Sequence, residues 1–145
     1  MLSSQIRAKS LGDREPIRTD LRLELFVRDV AASVSFYVDV LGFRVAQDSD
    51  ADYAFVSREG AAIGINAAES LPCDHPVRPT PEERNGRGVE IVVVVDDIHA
   101  AHAMALTSGW RLADTLVDRP WGLADFRVVD PDGYYVRVTN RSSRQ

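Results

Sequence analysis

The chain has 145 residues, of which 45% are hydrophobic and 27% charged, and its formal net charge is −5 at pH 7. This length and balance are typical of one globular domain with a true core, and they exclude a disordered chain. No basic run and no long apolar run occurs, so we expect no nucleic-acid partner and no membrane partner. One cysteine, Cys73, excludes an intrachain disulfide framework.

The beginning of the chain differs from the rest, because residues 1–20 are polar and lack a sustained hydrophobic period. They include no apolar stretch that could serve as a signal peptide, so we expect a cytoplasmic protein. We predict a flexible arm over residues 1–20, one domain over 21–140 and a tail over 141–145.

The first half of the domain, residues 21–66, is predicted to contain a strand, a helix and further strands. Alternating apolar residues indicate the first strand: Leu23, Leu25 and Val27. Asp29 can accept hydrogen bonds from the first turn of a helix, and Gly42 stands where that helix would end. Two more strands are predicted over residues 53–57 and 61–66. An irregular linker follows over residues 67–87.

The second half, residues 88–140, repeats this order. An apolar strand over 89–95 is followed by Asp96-Asp97, which begins a helix that runs to Thr107. Three strands are then predicted over residues 111–116, 126–129 and 134–139.

Short motifs recur between the two halves at nearly constant offsets. Val27-Arg28-Asp29-Val30 matches Val95-Asp96-Asp97-Ile98, Gly42 matches Gly109, Tyr53 matches Phe126 and Gly60 matches Gly133. Two copies are too few for a solenoid. We therefore predict an α+β fold of two βαβββ modules related by a pseudo-twofold axis, with curved mixed sheets that form a cleft.

These motifs resemble the vicinal oxygen chelate superfamily, which includes glyoxalase I, extradiol dioxygenases and bleomycin-resistance proteins. In the first half the resemblance rests on Val27-Arg28-Asp29, Ser33, Phe36-Tyr37 and Leu41-Gly42-Phe43. In the second half it rests on Val95-Asp96-Asp97, Gly109, Pro120-Trp121-Gly122, Phe126 and Asp130-Pro131-Asp132-Gly133-Tyr134. The ending is especially similar to the bleomycin-resistance branch. The resemblance implies a homodimer with a small-molecule cleft.

The resemblance also implies four positions at which metal-dependent members carry their ligands. In this chain they hold Arg22, Gly64, Glu90 and Arg137. Arginine has no acceptor atom and stays protonated in proteins, so only Glu90 can bind a metal. We therefore expect no metal and no other cofactor, and metal-dependent glyoxalase or dioxygenase chemistry is disfavoured.

Strand alternation then assigns side chains to the predicted cleft, on the face opposite to the aliphatic one. The ligand-binding candidates on strands are Arg22, Glu24 and Phe26, then Glu90 and Val92, then Tyr135 and Arg137. Trp121 is a further candidate, either as a stacking surface at the mouth of the cleft or as a packing anchor.

Two interpretations of the charged candidates stay open. Arg22, Glu90 and Arg137 can form a salt network that links the modules. Alternatively, Arg22 or Arg137 receives an anionic or carbonyl group of a ligand, and Glu90 holds that arginine in position.

Other residues are weaker candidates. His99 and His102 are expected to be solvated helix residues rather than half of a metal site, and Cys73-Asp74-His75 to be a flexible loop segment. Trp110 is expected in the core. Tyr53, Phe55 and Phe126 can either line the cleft or fill it.

Three functions remain open at this stage. The first is a metal-free protein that sequesters a bulky, partly aromatic compound and thereby gives antibiotic resistance. The second is a lyase or isomerase in which Glu90 or Glu24 acts as a general base beside an arginine. The third is a structural or regulatory domain whose cleft is filled.

Overall fold

A computed structural model describes residues 17–141. The predicted arm over 1–20 and the tail over 141–145 lie mainly outside the described residues. Within the described range the chain forms two four-stranded mixed sheets, which confirms the α+β prediction. No described helix is long and apolar enough to cross a membrane.

The first module contains strand β1 (Leu23–Val27), helix α1 (Val30–Ser35), a π-helical continuation (Phe36–Val40), and strands β2 (Arg44–Val45), β3 (Tyr53–Arg58) and β4 (Ala61–Ala67). Its strand order is β1-β4-β3-β2, with β1 parallel to β4. Asp29 caps α1 as predicted, because its carboxylate accepts a hydrogen bond from Ala32 N at 3.2 Å. Gly42 ends the helical segment with a φ of 77°, a conformation that glycine adopts at little cost.

A short 3₁₀-helix (Ala68–Ser70) and a series of turns connect the modules. The second module contains β5 (Glu90–Val95), α2 (Ile98–Thr107), β6 (Leu112–Asp118), β7 (Ala124–Val129) and β8 (Tyr135–Asn140). Its order, β5-β8-β7-β6, repeats that of the first sheet, with β5 parallel to β8. The strand that the sequence reading missed is β2, which has only two residues.

One hydrophobic core is shared by both modules. The aliphatic faces of β1, β5 and β8 point into it, as alternation predicts: Leu25, Val27, Ile91, Val93, Val136 and Val138 are all buried. Phe36 packs edge-on against Tyr37 at 4.9 Å between ring centroids and against Trp110 of the second module at 5.1 Å. The two helix-covered sides therefore meet, and the opposite sheet faces stay open.

The turn between β7 and β8 docks into the first module. The Tyr37 hydroxyl donates a 3.0 Å hydrogen bond to Asp130 Oδ2. Asp132 accepts hydrogen bonds from the Arg28 backbone N–H at 2.9 Å and the Arg28 guanidinium at 3.2 Å. Both carboxylates are buried, so this turn fixes the second module against the first.

One match in the predicted repeat is wrong by a residue. Phe126 is fully buried, whereas Tyr53 lies half-buried on the open face. Phe126 pairs with Val138, and the residue in the corresponding place of the first sheet is Ala54, which pairs with Ile65. A shift of one residue reverses the face of a strand, so the equivalent of Phe55 is Arg127.

Candidate functional site

The open face of the first sheet carries an ion pair beside an aromatic ring. The Arg22 guanidinium donates to Glu24 Oε1 at 3.3 Å, and its Cζ lies 5.9 Å from the centroid of the Phe55 ring. Glu24 lies across Gly64 on β4, where a Cβ atom would overlap the Glu24 carboxylate. Glycine at this position therefore gives the glutamate room to lie flat on the sheet.

The open face of the second sheet carries the Glu90–Arg137 ion pair, in which Arg137 Nε donates to Glu90 Oε1. Val92 is the β5 neighbour of Arg137, and its side chain is 41% exposed. Tyr135, the β8 neighbour of Glu90, is half-buried on the same face. The sequence therefore assigned these four residues to the correct side of the sheet.

A second charge cluster on this face was missed by the sequence reading. Asp125 is fully buried and accepts hydrogen bonds from Arg119 Nη2 at 2.7 Å and Arg127 Nη1 at 2.9 Å. Asp114 on β6 accepts from both arginines as well, at 3.2 and 3.5 Å. The Arg119 hydrogen bonds, together with the charges of Arg127 and Arg137, hold the pKa of Asp125 below its usual range.

A signal for this cluster was present in the sequence. Asp125 and Arg127 alternate with Phe126 and Val128, which is the pattern of a strand with one buried apolar face. The predicted strand began at Phe126, so Asp125 was left outside it, whereas β7 begins at Ala124.

The first of the two interpretations, one salt network of Arg22, Glu90 and Arg137 that links the modules, does not form among the described residues. Arg22 pairs with Glu24, and Arg137 pairs with Glu90 within one sheet. Glu90 and Arg137 stand on neighbouring parallel strands, so their ion pair ties β5 to β8 and does not link the modules.

The remaining ligand-binding candidates occupy different surroundings. Trp121 is 63% exposed at the turn between β6 and β7, away from the core. Phe26 is half-buried, and its backbone oxygen accepts hydrogen bonds from Asn85 Nδ2 at 3.1 Å and the Tyr134 hydroxyl at 3.3 Å. Phe26 is therefore tied to the linker and to the second module as well as lying on the open face.

The structure shows where the weaker candidates lie. His99 is exposed as expected, but the His102 ring packs 5.4 Å from Phe126, and its Nε2 atom is buried. Trp110 is 37% exposed rather than buried, and its Nε1 donates to Val129 O at 2.9 Å. Phe126 fills the core, whereas Tyr53 and Phe55 lie half-buried on the open face, and Cys73 is exposed.

The residues at the implied metal-ligand positions do not fit a divalent cation. Two of the four are guanidinium groups, one is glycine, and the remaining carboxylate, Glu90, already pairs with Arg137. Among residues 17–141 no cluster of three or more His, Cys, Asp or Glu side chains has metal-binding geometry. The side chains at these four positions therefore do not form a metal-binding set.

A cavity of about 450 Å³ opens at one end of the second face. It is lined by Tyr135, Val89, Gly133 and the linker residues Arg84 to Gly88. Small-molecule sites in proteins commonly enclose roughly 300–1,000 Å³, so this space can hold part of an organic ligand.

A family model described as the Glyoxalase/Bleomycin resistance protein/Dioxygenase superfamily matches residues 21–138. The chain belongs to this superfamily. The resemblance deduced from the short motifs is therefore confirmed for the superfamily as a whole. No protein of curated function matches the chain significantly.

Solved structures with the same fold differ widely in what their names describe. TioX from Micromonospora sp. ML1 is 20% identical with a TM-score of 0.69, over 86% of this chain and 100% of TioX. A glyoxalase/bleomycin resistance protein/dioxygenase family enzyme from Burkholderia phytofirmans PsJN is 21% identical with a TM-score of 0.67, over 84% and 98% of the two chains. Lactoylglutathione lyase from Agrobacterium tumefaciens is 16% identical with a TM-score of 0.64, over 87% and 96%. At these identities the similarity establishes the fold alone.

Proposed function

We propose that this superfamily member binds a small, partly aromatic organic molecule on its open sheet faces without a metal, in the manner of the bleomycin-resistance branch. The observation that carries the proposal is that three of the four implied metal-ligand positions hold residues that cannot bind a metal through their side chains: Arg22, Gly64 and Arg137. These residues offer hydrogen-bond donors and open space where metal-dependent members have ligands.

Apolar and aromatic side chains beside the ion pairs support a ligand of this kind. Phe55 and Tyr53 lie half-buried on the first face, and Val92 and Tyr135 lie on the second. Flat apolar groups next to a few oriented polar groups are typical of small-molecule sites. Sequestration of a toxic compound, and hence antibiotic resistance, would follow from tight binding without turnover.

The proposal is tested by binding measurements on protein that has been purified without chelator and then treated with a chelator. Elemental analysis of the untreated protein should give less than stoichiometric zinc, nickel, iron and manganese. Planar aromatic compounds should raise the unfolding temperature equally before and after chelation. One metal ion per chain that is lost in a Glu24→Gln, Glu90→Gln variant would contradict the proposal, as would binding that chelation abolishes.

The enzymatic alternative rests on the Glu90–Arg137 pair. A carboxylate next to a guanidinium is the combination that a proton abstraction with a stabilised oxyanion requires. Glu90 engages only one of its oxygens with Arg137 in the described residues, which leaves the other oxygen for a substrate proton. Catalytic conversion of a bound compound that Glu90→Gln abolishes, with binding retained, would favour this lyase or isomerase over a sequestering protein.

A further inference from the structure

Two arginines face each other on the open side of the second sheet. Arg127 on β7 and Arg137 on β8 are directly opposite in the antiparallel register. Like charges at such positions normally destabilise a sheet, so their pairing requires compensating anions.

Three carboxylates, Asp114, Asp125 and Glu90, balance the charges of Arg127, Arg137 and the nearby Arg119. They do not occupy all the donors of the two facing arginines. Arg127 donates hydrogen bonds from Nη1 to Asp125 and Asp114, and Arg137 donates one from Nε to Glu90. A guanidinium has five N–H donors, so both arginines keep further donors that the described hydrogen bonds do not use. The Arg127 side chain is 19% exposed and the Arg137 side chain 27% exposed. Their unused nitrogens are therefore not buried without a partner.

Asp125 keeps Arg127 in place. Its carboxylate is fully buried, and Arg119 holds it with three hydrogen bonds of 2.7 to 3.1 Å from Nε and Nη2. Arg127 therefore projects from a fixed anchor, and the guanidinium loses little freedom when it binds a further acceptor.

The first sheet lacks this arrangement. The places of Arg127 and Arg137 are occupied there by Phe55 and Gly64, which are directly opposite in the β3–β4 register. The paired guanidinium groups are thus a property of the second face alone and not of the repeated fold.

We infer that Arg127 and Arg137 together bind the carboxylate of an organic acid whose apolar body lies over Val92 and Tyr135. This inference deepens the proposed function, on which it rests, by assigning the ligand's polar group. Two neighbouring guanidinium groups suit the two oxygens of a carboxylate. Arg119, Arg127 and Arg137 balance Asp114, Asp125 and Glu90, so the cluster accepts one added negative charge more readily than the two of a phosphate monoester.

The test compares each aromatic acid with its uncharged amide. Benzoate and naphthoate are titrated beside benzamide and naphthamide into the wild-type chain and into Arg127→Gln and Arg137→Gln variants. Each substitution should weaken naphthoate binding roughly ten- to hundredfold, the loss expected for a charged hydrogen bond, and should weaken naphthamide binding by a much smaller factor, because the neutral amide makes no charge-assisted bond. Arg18→Gln serves as the control, because that side chain is 84% exposed in the segment before β1.

Folding is controlled separately. Arg127→Lys retains the charge near Asp125 but loses the planar fork, so it should fold like the wild type and still weaken naphthoate binding. For Arg137 the double variant with Glu90→Gln removes both members of the ion pair.

The possible failures are distinguishable. Equal affinity for naphthoate and naphthamide, or naphthoate binding that survives both Gln substitutions in folded protein, would overturn the carboxylate site and leave the proposed small-molecule binding standing. Failure of all four compounds to bind at millimolar concentration would overturn the carboxylate site, and a negative result with larger uncharged aromatic compounds would then overturn the proposed function as well.

Discussion

The Tyr37 hydroxyl and the Asp130 carboxylate meet inside the junction between the two modules. Asp130 Oδ1 accepts 2.9 Å hydrogen bonds from the backbone N–H groups of Asp132 and Tyr134, and Oδ2 accepts from Tyr37. Burial nevertheless raises the pKa of Asp130, because the hydrogen bonds only partly replace the lost water. Each donor to this carboxylate is therefore important for stability.

Tyr37→Phe should destabilise the protein by about 1–3 kcal/mol, because it leaves a buried carboxylate oxygen without its donor. The free energy of unfolding is measured by urea denaturation at neutral pH. Tyr53→Phe is the matched control, since Tyr53 lies on the open face and its loss of a hydroxyl should change stability by less than about 0.5 kcal/mol. Equal effects of the two substitutions would contradict the importance of the Asp130 contact.

The same tyrosine should make stability depend on alkaline pH. Burial, followed by the charge of Asp130, raises the pKa of Tyr37 well above its ordinary value of 10.0. Its contribution is fully present below the unfolded pKa and is lost as pH rises through the folded pKa, because the unfolded chain gives up the proton first. The stability should fall by up to about 1.4 kcal/mol per pH unit above roughly pH 10 for this group. Urea denaturation from pH 8 to 11.5 should give a shallower decline for Tyr37→Phe, and parallel curves for the two proteins would refute the assignment.

Single residues also mark where sequence reasoning succeeds and where it stops. The sides taken by Glu24, Val92 and Arg137 follow from alternation alone, since a strand allows only two directions. The partners of a charged side chain depend on its neighbours across strands, which the sequence does not order. The Glu90–Arg137 pairing was anticipated, but its location within one sheet became clear only from the β5–β8 register.

At the scale of elements, two glycines of equivalent strands have different structural roles. Gly64 lies within β4, and Gly133 lies in the turn before β8. Gly64 has no positive φ, and the three atoms nearest to an added Cβ belong to the flexible Glu24 carboxylate. Gly133 has a φ of 103°, and its Cβ would approach Arg84 Cγ to 2.6 Å. The two glycines therefore test different requirements.

Gly64→Ala should change stability by less than about 1 kcal/mol, because Glu24 can swing away at the cost of an exposed ion pair while the unfolded chain loses entropy. Gly133→Ala should cost more than about 1 kcal/mol, because alanine is strained at that φ. Chemical denaturation of both variants measures the difference. A Gly64→Ala variant as unstable as Gly133→Ala would mean that the Glu24 position on the sheet is essential to the fold.

Elements with local signals at their ends were predictable from the sequence, whereas the shortest elements were not. The helix ends at Asp29, Gly42 and Gly109 carry local signals, since a capping carboxylate and a left-handed glycine act through adjacent residues. The two-residue β2 forms only because β3 is beside it, and the π-helical turn over Phe36–Val40 has no recognisable pattern in the sequence.

For the molecule as a whole, the repeat predicted two modules but not how they meet. Their relative position depends on buried contacts of the β7–β8 turn, such as Asp132 with Arg28 and Ser33, that join residues about one hundred positions apart. The resulting arrangement turns the open faces away from the shared core. Among the described residues, β1 and β2 end the first sheet and β5 and β6 end the second, so each of these strands has one edge without a strand partner. Such edges and faces are usually covered in a functional protein.

We therefore predict that a second copy of the chain covers the open faces, which would give a homodimer with two equivalent clefts. Light scattering at micromolar concentration should give twice the chain mass of 16.0 kDa. The dimer should persist in high salt, because the burial of apolar surface is not screened by ions. Amide hydrogen exchange on the free edges of β1 and β5 should also slow as the protein concentration rises through the dissociation constant. A mass of one chain across this concentration range would refute the prediction, and each open face would then have to bind its ligand without a second wall.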